Sequence, residues 1–120
     1  MNIIFDDQLA NVADSHTLLE LDTFRSPDET KRKTVYGLIE QVPLAEFPIL
    51  EQLKKCHSDM MDAYKSQNWE YCRSAIAGLT GRFNGEMDSF YKDLQQRIDH
   101  YETNPPSDTW DGSRSSIDFK

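Results

Sequence analysis

Two segments near the N-terminus have the apolar, partly alternating pattern of β-strands. Residues 18–24 (LLELDTF) are rich in leucine, and residues 34–39 (TVYGLI) contain valine, tyrosine and isoleucine. Residues 25–33 between them concentrate serine, proline and charged side chains, which is typical of a hairpin loop. Because a two-stranded hairpin is marginally stable alone in water, we expect one face of it to pack on the rest of the chain or on a partner.

Three helices are predicted further along, because apolar residues recur there at every third or fourth position. The first runs from about residue 48 to residue 66, since its proline at position 48 permits a helix to begin but not to continue from upstream. The second begins at Trp69, with Asn68 as its cap, and its apolar stripe ends among the glycines of residues 78–85. The third begins near residue 86 and ends before the two prolines that follow Asn104.

The two termini are less regular. Residues 5–12 have the apolar spacing of a short helix. The tail, residues 107–120, is mostly polar, has no helical period and is predicted to be extended. A solvated indole would expose a large apolar ring, so we expect Trp110 to pack on the body of the protein before a turn at Asp111 and Gly112.

These elements predict a single α+β domain, mostly helical, that spans residues 1–120. Residues 1–42 carry the β-hairpin, residues 43–104 form a three-helix unit on which the hairpin packs, and residues 105–120 form the extended tail. Trp69 is predicted to be a core residue, since it leads the apolar stripe of the second helix.

The charge of the chain limits the expected partners. Asp and Glu number 21 against 13 Lys and Arg, so the formal net charge is -8. The average surface repels phosphate backbones and anionic lipid, and we expect neither a nucleic acid nor a membrane partner. No segment approaches the roughly 20 apolar residues of a membrane span, and the N-terminus lacks a signal-peptide pattern, so a cytoplasmic location is predicted.

The residue types that catalysis or metal binding requires are scattered. The three histidines His16, His57 and His100 are far apart, and neither Cys56 nor Cys72 belongs to a C-x-x-C pair, so no metal and no cofactor is expected. Adjacent residues project about 100° apart on a helix, which predicts an unpaired half-buried thiol at Cys56 and a surface imidazole at His57. No phosphate-binding glycine loop or nucleophile elbow is present, and the chain is predicted not to be an enzyme. The short basic run at residues 31–33 is typical of a solvated loop.

Residues 64–79 (YKSQNWEYCRSAIAGL) resemble one helical hairpin of the tetratricopeptide (TPR) type, with an aromatic residue, a small residue and two packing residues at the expected positions. These are Trp69, Cys72, Ile76 and Leu79. Residues 90–112 (FYKDLQQRIDHYETNPPSDTWDG) resemble the C-terminal extension of bacterial class III adenylate and guanylate cyclases, in which an R-I-x-x-Y stretch leads to N-P-P and then W-D-G. The matching residues are Arg97, Ile98, Tyr101, Asn104, Pro105, Pro106, Trp110, Asp111 and Gly112.

The chain departs from that cyclase pattern in two places. Cys72 stands where the family usually has alanine, and Thr109 separates Asp108 from Trp110. The resemblance implies a TPR-like helical appendage that packs against or regulates another domain. It implies no cyclase activity, because the upstream residues are too few for a catalytic domain. The arrangement also resembles short uncharacterised proteins of marine phages and bacteria, in which a strand like residues 18–24 precedes such helices.

Three functions are compatible with these observations. The first is a non-enzymatic protein-interaction or regulatory module with an unknown protein partner, homo-oligomerisation remaining open. The second is a small-ligand sensor or an unrecognised enzyme with a pocket between the hairpin and the helices. The third is a phage-type acidic protein that modulates its host by mimicking the charge of nucleic acid, which would place it in the host cytoplasm. The residues expected at a binding surface or pocket are Tyr36, His57, Tyr64, Trp69 and Trp110.

Overall fold

The computed structural model describes residues 2–5, 17–28, 30–39 and 42–115. These residues form three α-helices and a four-stranded sheet of strand order β1-β3-β2-β4. In chain order the elements are β1 (Asn2–Phe5), β2 (Thr17–Arg25), β3 (Arg32–Ile39), α1 (Leu50–Lys65), α2 (Trp69–Leu79), α3 (Asp88–Thr103) and β4 (Ser113–Ser115). The predicted α+β class, with an N-terminal hairpin and three helices, is confirmed. The likeness of the helical unit to a TPR repeat stays a prediction.

The central hairpin pairs β2 with β3 in antiparallel register from Thr17 opposite Ile39 to Arg25 opposite Arg32. Its turn is shorter than the loop predicted at residues 25–33, because both arginines belong to the ladder. The register shifts between residues 20 and 22, and such a bulge increases the local twist of the sheet.

Hydrogen bonds to one carboxylate shape the hairpin turn. The backbone N–H of Ser26 donates to the carbonyl of Lys31 at 3.0 Å and closes the turn. Within it, Asp28 Oδ1 accepts from the Ser26 hydroxyl at 2.5 Å, from the Thr30 hydroxyl at 2.8 Å and from the Thr30 N–H at 3.1 Å. These bonds, that of Ser26 first, lower the pKa of Asp28 to about 2. The turn is therefore preorganised by its own polar side chains.

Two short strands extend the hairpin on either side. Strand β1 pairs antiparallel with β3, from Asn2 opposite Leu38 to Phe5 opposite Val35. The helix predicted for residues 5–12 is therefore wrong at Phe5, and residues 6–12 lie outside the described residues. Strand β4 pairs in parallel with β2 at residues 23–25, so residues 113–115 of the predicted extended tail belong to the sheet.

The helical boundaries differ slightly from those predicted. A 3-10 helix, Leu44–Ile49, contains Pro48, and α1 begins only after it. The predicted cap is confirmed, since the Asn68 side chain accepts a hydrogen bond from the N–H of Tyr71 at 3.3 Å. Helix α2 ends at Leu79 because the chain then enters a turn.

That turn, a 3-10 segment at Phe83–Gly85, has an unusual backbone. Phe83 has a φ of 55° and Asn84 a φ of 61°, which is the left-handed region that side chains rarely adopt. The Phe83 ring is fully buried, and its N–H donates to the buried carboxylate of Glu46 at 2.8 Å. Burial of the ring and this hydrogen bond offset the backbone strain.

The hydrophobic core joins the helices to the sheet. Leu19 and Leu21 of β2 and Ile39 of β3 belong to the same cluster of buried side chains as the apolar faces of α1, α2 and α3. The helical members are Met60, Met61, Ala63, Tyr64, Cys72, Ala75, Ile76, Leu79, Phe90, Tyr91, Leu94 and Ile98, with Phe83 and Met87 from the α2–α3 connection. The hairpin is thus held by the helical unit, as expected for a ribbon that would be marginal alone.

Candidate functional site

The five residues predicted for a binding surface lie in two separate places. Tyr64, Trp69 and Trp110 meet where α1 ends and α2 begins, and their rings are in contact. Tyr36 and His57 line a groove between the hairpin and α1. The sequence therefore identified parts of two features and not a single pocket.

The first feature is an aromatic cluster of four rings, Tyr64, Trp69, Tyr101 and Trp110. The ring centroid of Trp110 lies 5.2 Å from that of Tyr64 and 5.3 Å from that of Tyr101. Trp69 stacks on Tyr101 with centroids 5.6 Å apart. These are ordinary contact separations, so the rings fill the space between them and leave no slot for a ligand. Tyr64 is buried, and the other three rings are half-buried against the core.

The chain beyond α3 is fixed onto this cluster, which confirms that Trp110 packs on the body of the protein. Its indole N–H donates to the carbonyl of Ser113 at 3.0 Å. Asp111 accepts from the N–H of Ser113 at 2.9 Å, and the hydrogen bonds from Ser113 lower the pKa of Asp111 to about 2. Gly112 has a φ of 87°, and a Cβ there would lie 2.5 Å from Cγ of Lys65, so only glycine fits this approach of tail to helix.

His57 is a buried structural residue, and its prediction as a surface imidazole is wrong. It is 1% exposed, with Nδ1 2.9 Å from the hydroxyl of Tyr91 and Nε2 2.5 Å from the carbonyl oxygen of Glu20. A carbonyl can only accept, so Nε2 carries the proton and Nδ1 accepts from Tyr91. Burial lowers the pKa of His57, which keeps the ring neutral. Both ring nitrogens are thus used to tie α1 to β2 and α3.

Both cysteines are unpaired thiols, which confirms the prediction for Cys56. Cys72 is fully buried and its Sγ donates to the carbonyl of Met60 at 3.6 Å, whereas Cys56 is half-buried. Burial raises the pKa of Cys72 to about 11 and also raises the pKa of Cys56. Both thiols are therefore protonated at neutral pH, the form that is a poor nucleophile.

The groove that contains Tyr36 is the second predicted feature. It has a volume of about 390 Å³, opens to solvent, and lies between Tyr36 of β3 and the lysines Lys54 and Lys55 of α1. Both lysines already have carboxylate partners, Glu51 at 3.4 Å and Asp59 at 2.9 Å respectively. The groove can therefore offer hydrogen bonds and paired charges to a small polar ligand, but His57 forms only part of its wall.

A partly buried arginine joins the sheet to α3, and the sequence analysis gave it no such role. Both terminal nitrogens of Arg97 bond the Asp22 carboxylate, at 2.6 and 2.9 Å, and one also bonds Asp93 at 2.6 Å. Burial opposes the charge of Arg97, but the hydrogen bonds that Arg97 donates to Asp22 outweigh it and raise the Arg97 pKa above its ordinary value. The four-residue spacing of Asp93 and Arg97 was the available signal. Asp22 follows the bulge of β2, so the network fixes that bulge against α3.

A further hollow lies at the hairpin tip and was not predicted. It has a volume of about 360 Å³, and its lining comes from β1, β2, β3 and the connecting turn. We call it the tip hollow. Its apolar members are Phe5, Phe24 and Pro27. Its basic members are Arg25, Lys31, Arg32 and Lys33. Residues 31–33 are exposed, as a solvated loop would be, but the prediction of a loop is wrong at Arg32 and Lys33, which belong to strand β3.

Cations surround the aromatic floor of the tip hollow. The Lys33 ammonium lies 5.1 Å from the centroid of the Phe5 ring, and the guanidinium of Arg114 in β4 lies 6.0 Å from that of Phe24. Arg32 is paired with Asp111 at 3.1 Å. Within the described ranges, neither Lys31 nor Lys33 has a carboxylate at ion-pair distance. As far as the described residues show, two ammonium groups of the rim can therefore pair with a negatively charged partner.

The described residues contain no group of three or more His, Cys, Asp or Glu side chains arranged to hold a metal ion. Across the same part of the chain, no helix has the length and apolar character needed to cross a membrane. Comparison of the chain with protein-family models, curated proteins and solved structures finds no match. The resemblance to the cyclase extension therefore stays a prediction.

Proposed function

We propose that this chain is a non-enzymatic protein-interaction module that binds its partner through the tip hollow. The observation that supports the proposal is an open apolar depression with a floor of two phenylalanine rings, Phe5 and Phe24, and a basic rim. Aromatic and arginine side chains are enriched in protein interfaces, and exposed apolar surface rimmed by charge is a common mark of a binding surface.

The state of the reactive groups is consistent with a non-catalytic role. His57 uses both ring nitrogens within the fold, and the thiols of Cys56 and Cys72 are held protonated by burial. General acid–base or nucleophilic chemistry needs such groups within reach of a substrate and in a reactive form. The tip hollow supplies contacts and charge instead.

A pull-down from a lysate of the organism that encodes the chain tests this proposal. Three baits are compared. They are the parent chain, a tip variant with Lys31→Glu and Lys33→Glu, and a matched control with Arg82→Glu and Lys92→Glu. The control changes exposed residues outside the hollow and gives the same change in net charge. We expect proteins captured by the parent chain to be retained by the control and lost from the tip variant. Equal capture by both variants would contradict a binding surface at the hairpin tip.

A second candidate function is a small-ligand sensor at the groove beside Tyr36. Its support is the groove volume of about 390 Å³, which lies within the range of roughly 300–1,000 Å³ typical of ligand pockets. Of the predicted pocket residues, the groove includes Tyr36 and His57, while Tyr64 and Trp69 lie elsewhere. A metabolite panel that raises the melting temperature of the parent chain but not of Tyr36→Ala would favour this function over the first.

The third hypothesis, an acidic phage protein that mimics nucleic acid, requires carboxylates free to face a basic partner. Several carboxylates are instead engaged by cations of the same chain. They are Glu20, Asp22, Asp93, Asp99, Glu102 and Asp111. We therefore prefer the interaction module, with a protein partner, no nucleic acid or membrane, and a cytoplasmic location as accompanying proposals.

A further inference from the structure

The tip hollow combines two properties whose joint occurrence restricts what can occupy it. Its floor is apolar, with the Phe5 and Phe24 rings on the two strands that flank β3, and its basic rim lies in a chain of net charge -8. Phe5 lies opposite Val35 of β3, and Phe24 lies opposite Lys33, two residues earlier on the same strand. A ligand seated on the rings is therefore within reach of the rim cations.

The charges of the rim favour an anionic occupant. Lys31 and Lys33 are exposed and, within the described residues, lack a carboxylate partner, although acidic residues outnumber basic ones by 21 to 13. A partner that brings its own carboxylates would supply the missing counter-charge, and such complementarity speeds and orients association. The apolar floor adds contact area that a purely ionic ligand would not use.

The openness of the tip hollow and the net charge of the chain favour one class of anionic partner over small molecules and nucleic acids. The tip hollow, like the groove beside Tyr36, is open to solvent, whereas ligand sites for free small molecules usually enclose most of the ligand surface. A nucleic acid would stack bases on the rings, but the remaining surface of this chain of net charge -8 repels a polyanion. A protein segment can bind an open hollow by inserting one side chain, and its other residues then contact the basic rim and not the negatively charged remainder of the surface.

We propose, on the basis of the function proposed above, that the tip hollow binds an acidic segment of a partner protein. The segment places one large apolar side chain against Phe5 and Phe24, and its flanking carboxylates pair with Lys31 and Lys33. The hairpin turn is preorganised by the Asp28 hydrogen bonds, so binding orders few additional groups.

Amide NMR titration of the isotope-labelled full chain tests this proposal. The main probe is a short peptide of Glu and Ser residues with one central Trp. The comparison probes are the same peptide with Ser in place of Trp, the same peptide with Lys in place of Glu, decanoate, and oligothymidylate. We expect the acidic Trp peptide to shift the amides of residues 24–33, and each altered peptide to bind at least about tenfold more weakly, a loss of roughly 1.4 kcal/mol.

Variants separate the site from general charge effects. Lys31→Glu with Lys33→Glu should weaken the acidic Trp peptide about tenfold or more, while Arg82→Glu with Lys92→Glu should change its Kd by less than about threefold. Rising salt should weaken binding to the parent and have little effect on the tip variant.

Several outcomes would overturn the proposal. Absence of shifts at the tip up to millimolar peptide is one, and equally tight binding of the Ser peptide or of oligothymidylate would assign the site to polyanions. Tighter binding of decanoate would assign it to free amphiphiles, and concentration-dependent shifts at the tip without any probe would assign it to a second copy of the chain. If the pull-down still depends on Lys31 and Lys33 while the acidic peptide fails, the interaction function stands and only the partner class is wrong.

Discussion

The two aromatic regions of this protein use similar residues in opposite ways. At the α1–α2 junction, Trp110 of the tail covers the rings of Tyr64, Trp69 and Tyr101 at contact distance. At the hairpin tip, cations lie over the Phe5 and Phe24 rings, which line an open hollow. The chain thus covers one aromatic surface with its own tail, whereas the other lines a hollow that opens to solvent.

The difference between the two regions indicates which of them contributes mainly to stability and which mainly to binding. A ring that contacts other rings contributes buried area and ring–ring attraction to folding. A ring beneath an exposed ammonium contributes less, because a cation–π contact near solvent is worth about 0.5–1 kcal/mol. Substitutions at the junction should therefore unfold the protein, whereas substitutions at the tip rim should mainly affect binding.

The largest effect should follow removal of the ring that closes the junction. Trp110→Ala deletes contacts with three aromatic rings and the indole hydrogen bond to Ser113, so we expect the free energy of unfolding to fall by about 3 kcal/mol. Chemical denaturation measures this loss. Phe5→Ala at the tip is the comparison and should cost about 1 kcal/mol. A Trp110 variant within 1 kcal/mol of the parent would abolish the distinction between the two regions.

A substitution of His57 tests whether the stability of the protein depends on buried hydrogen bonds as well as on aromatic contacts. His57→Phe keeps a ring but leaves the Tyr91 hydroxyl and the Glu20 carbonyl without their partner, which should cost about 2–3 kcal/mol near neutral pH. Urea denaturation of parent and variant gives the difference.

The free energy of unfolding of the parent and that of His57→Phe should depend differently on pH. The pKa of His57 is lowered on folding, so the unfolded chain binds a proton that the folded chain does not as the pH falls below about 6.5. The parent should lose at most about 1.4 kcal/mol per pH unit from this residue, and the variant should not. The difference in free energy of unfolding between the parent and His57→Phe should therefore become smaller as the pH falls. A gap that is constant from about pH 7.5 to pH 5.5 would mean that His57 titrates alike in both states.

Gly112 tests the attachment of the tail with a smaller change. Gly112→Ala forces a side chain into a φ of 87° and against Lys65, and we expect a loss of about 2 kcal/mol. Gly78→Ala is the matched control, since it lies within α2 with no atom within 4 Å of the new Cβ. It should stabilise the protein by about 0.5–1 kcal/mol. Thermal denaturation should thus move in opposite directions for the two alanines, and shifts of the same sign would refute the tail contact.

The smallest effect on folding should come from the tip rim. Lys31→Glu with Lys33→Glu removes one cation–π contact and no ion pair among the described residues, so the free energy of unfolding should fall by less than about 1 kcal/mol. Its melting curve should match that of Arg82→Glu with Lys92→Glu. A much larger loss would show that the lysines hold the hairpin together and are not reserved for a partner.

The sequence predicted the elements whose signals are local. The spacing of apolar residues and the prolines and glycines at their ends located α1, α2 and α3, and the alternation around residues 18–39 located the hairpin. Strand β1 was missed because four residues carry too little pattern, and its pairing depends on distant Val35. Strand β4 was missed because its Ser-Arg-Ser sequence has no apolar alternation, and side chains such as Arg25, which donates to the Ser113 carbonyl at 2.7 Å, hold it.

The sites were predicted less well, since they depend on contacts between distant residues. His57 looked exposed beside Lys55 and Cys56, yet its environment is set by Tyr91 and Glu20 of other elements. The tip hollow arises because β3 pairs with both β1 and β2 and so brings Phe5 and Phe24, which are far apart in sequence, to the same part of the sheet. Trp110 was predicted correctly because burial of one large apolar ring can be expected without knowledge of the residues that it contacts.

The parallel pairing of β4 with β2 has a consequence for synthesis of the protein on the ribosome. Residues 113–115 complete the sheet beside residues 23–25, and Arg25 bonds the carbonyl of Ser113. The edge of β2 at these residues therefore cannot be covered until residue 115 has left the exit tunnel. Contacts of such long sequence separation form slowly, and an uncovered strand edge is prone to wrong pairing in the interval. Nascent chains that stall before residue 113 should thus depend on chaperones more than nascent chains that have passed it.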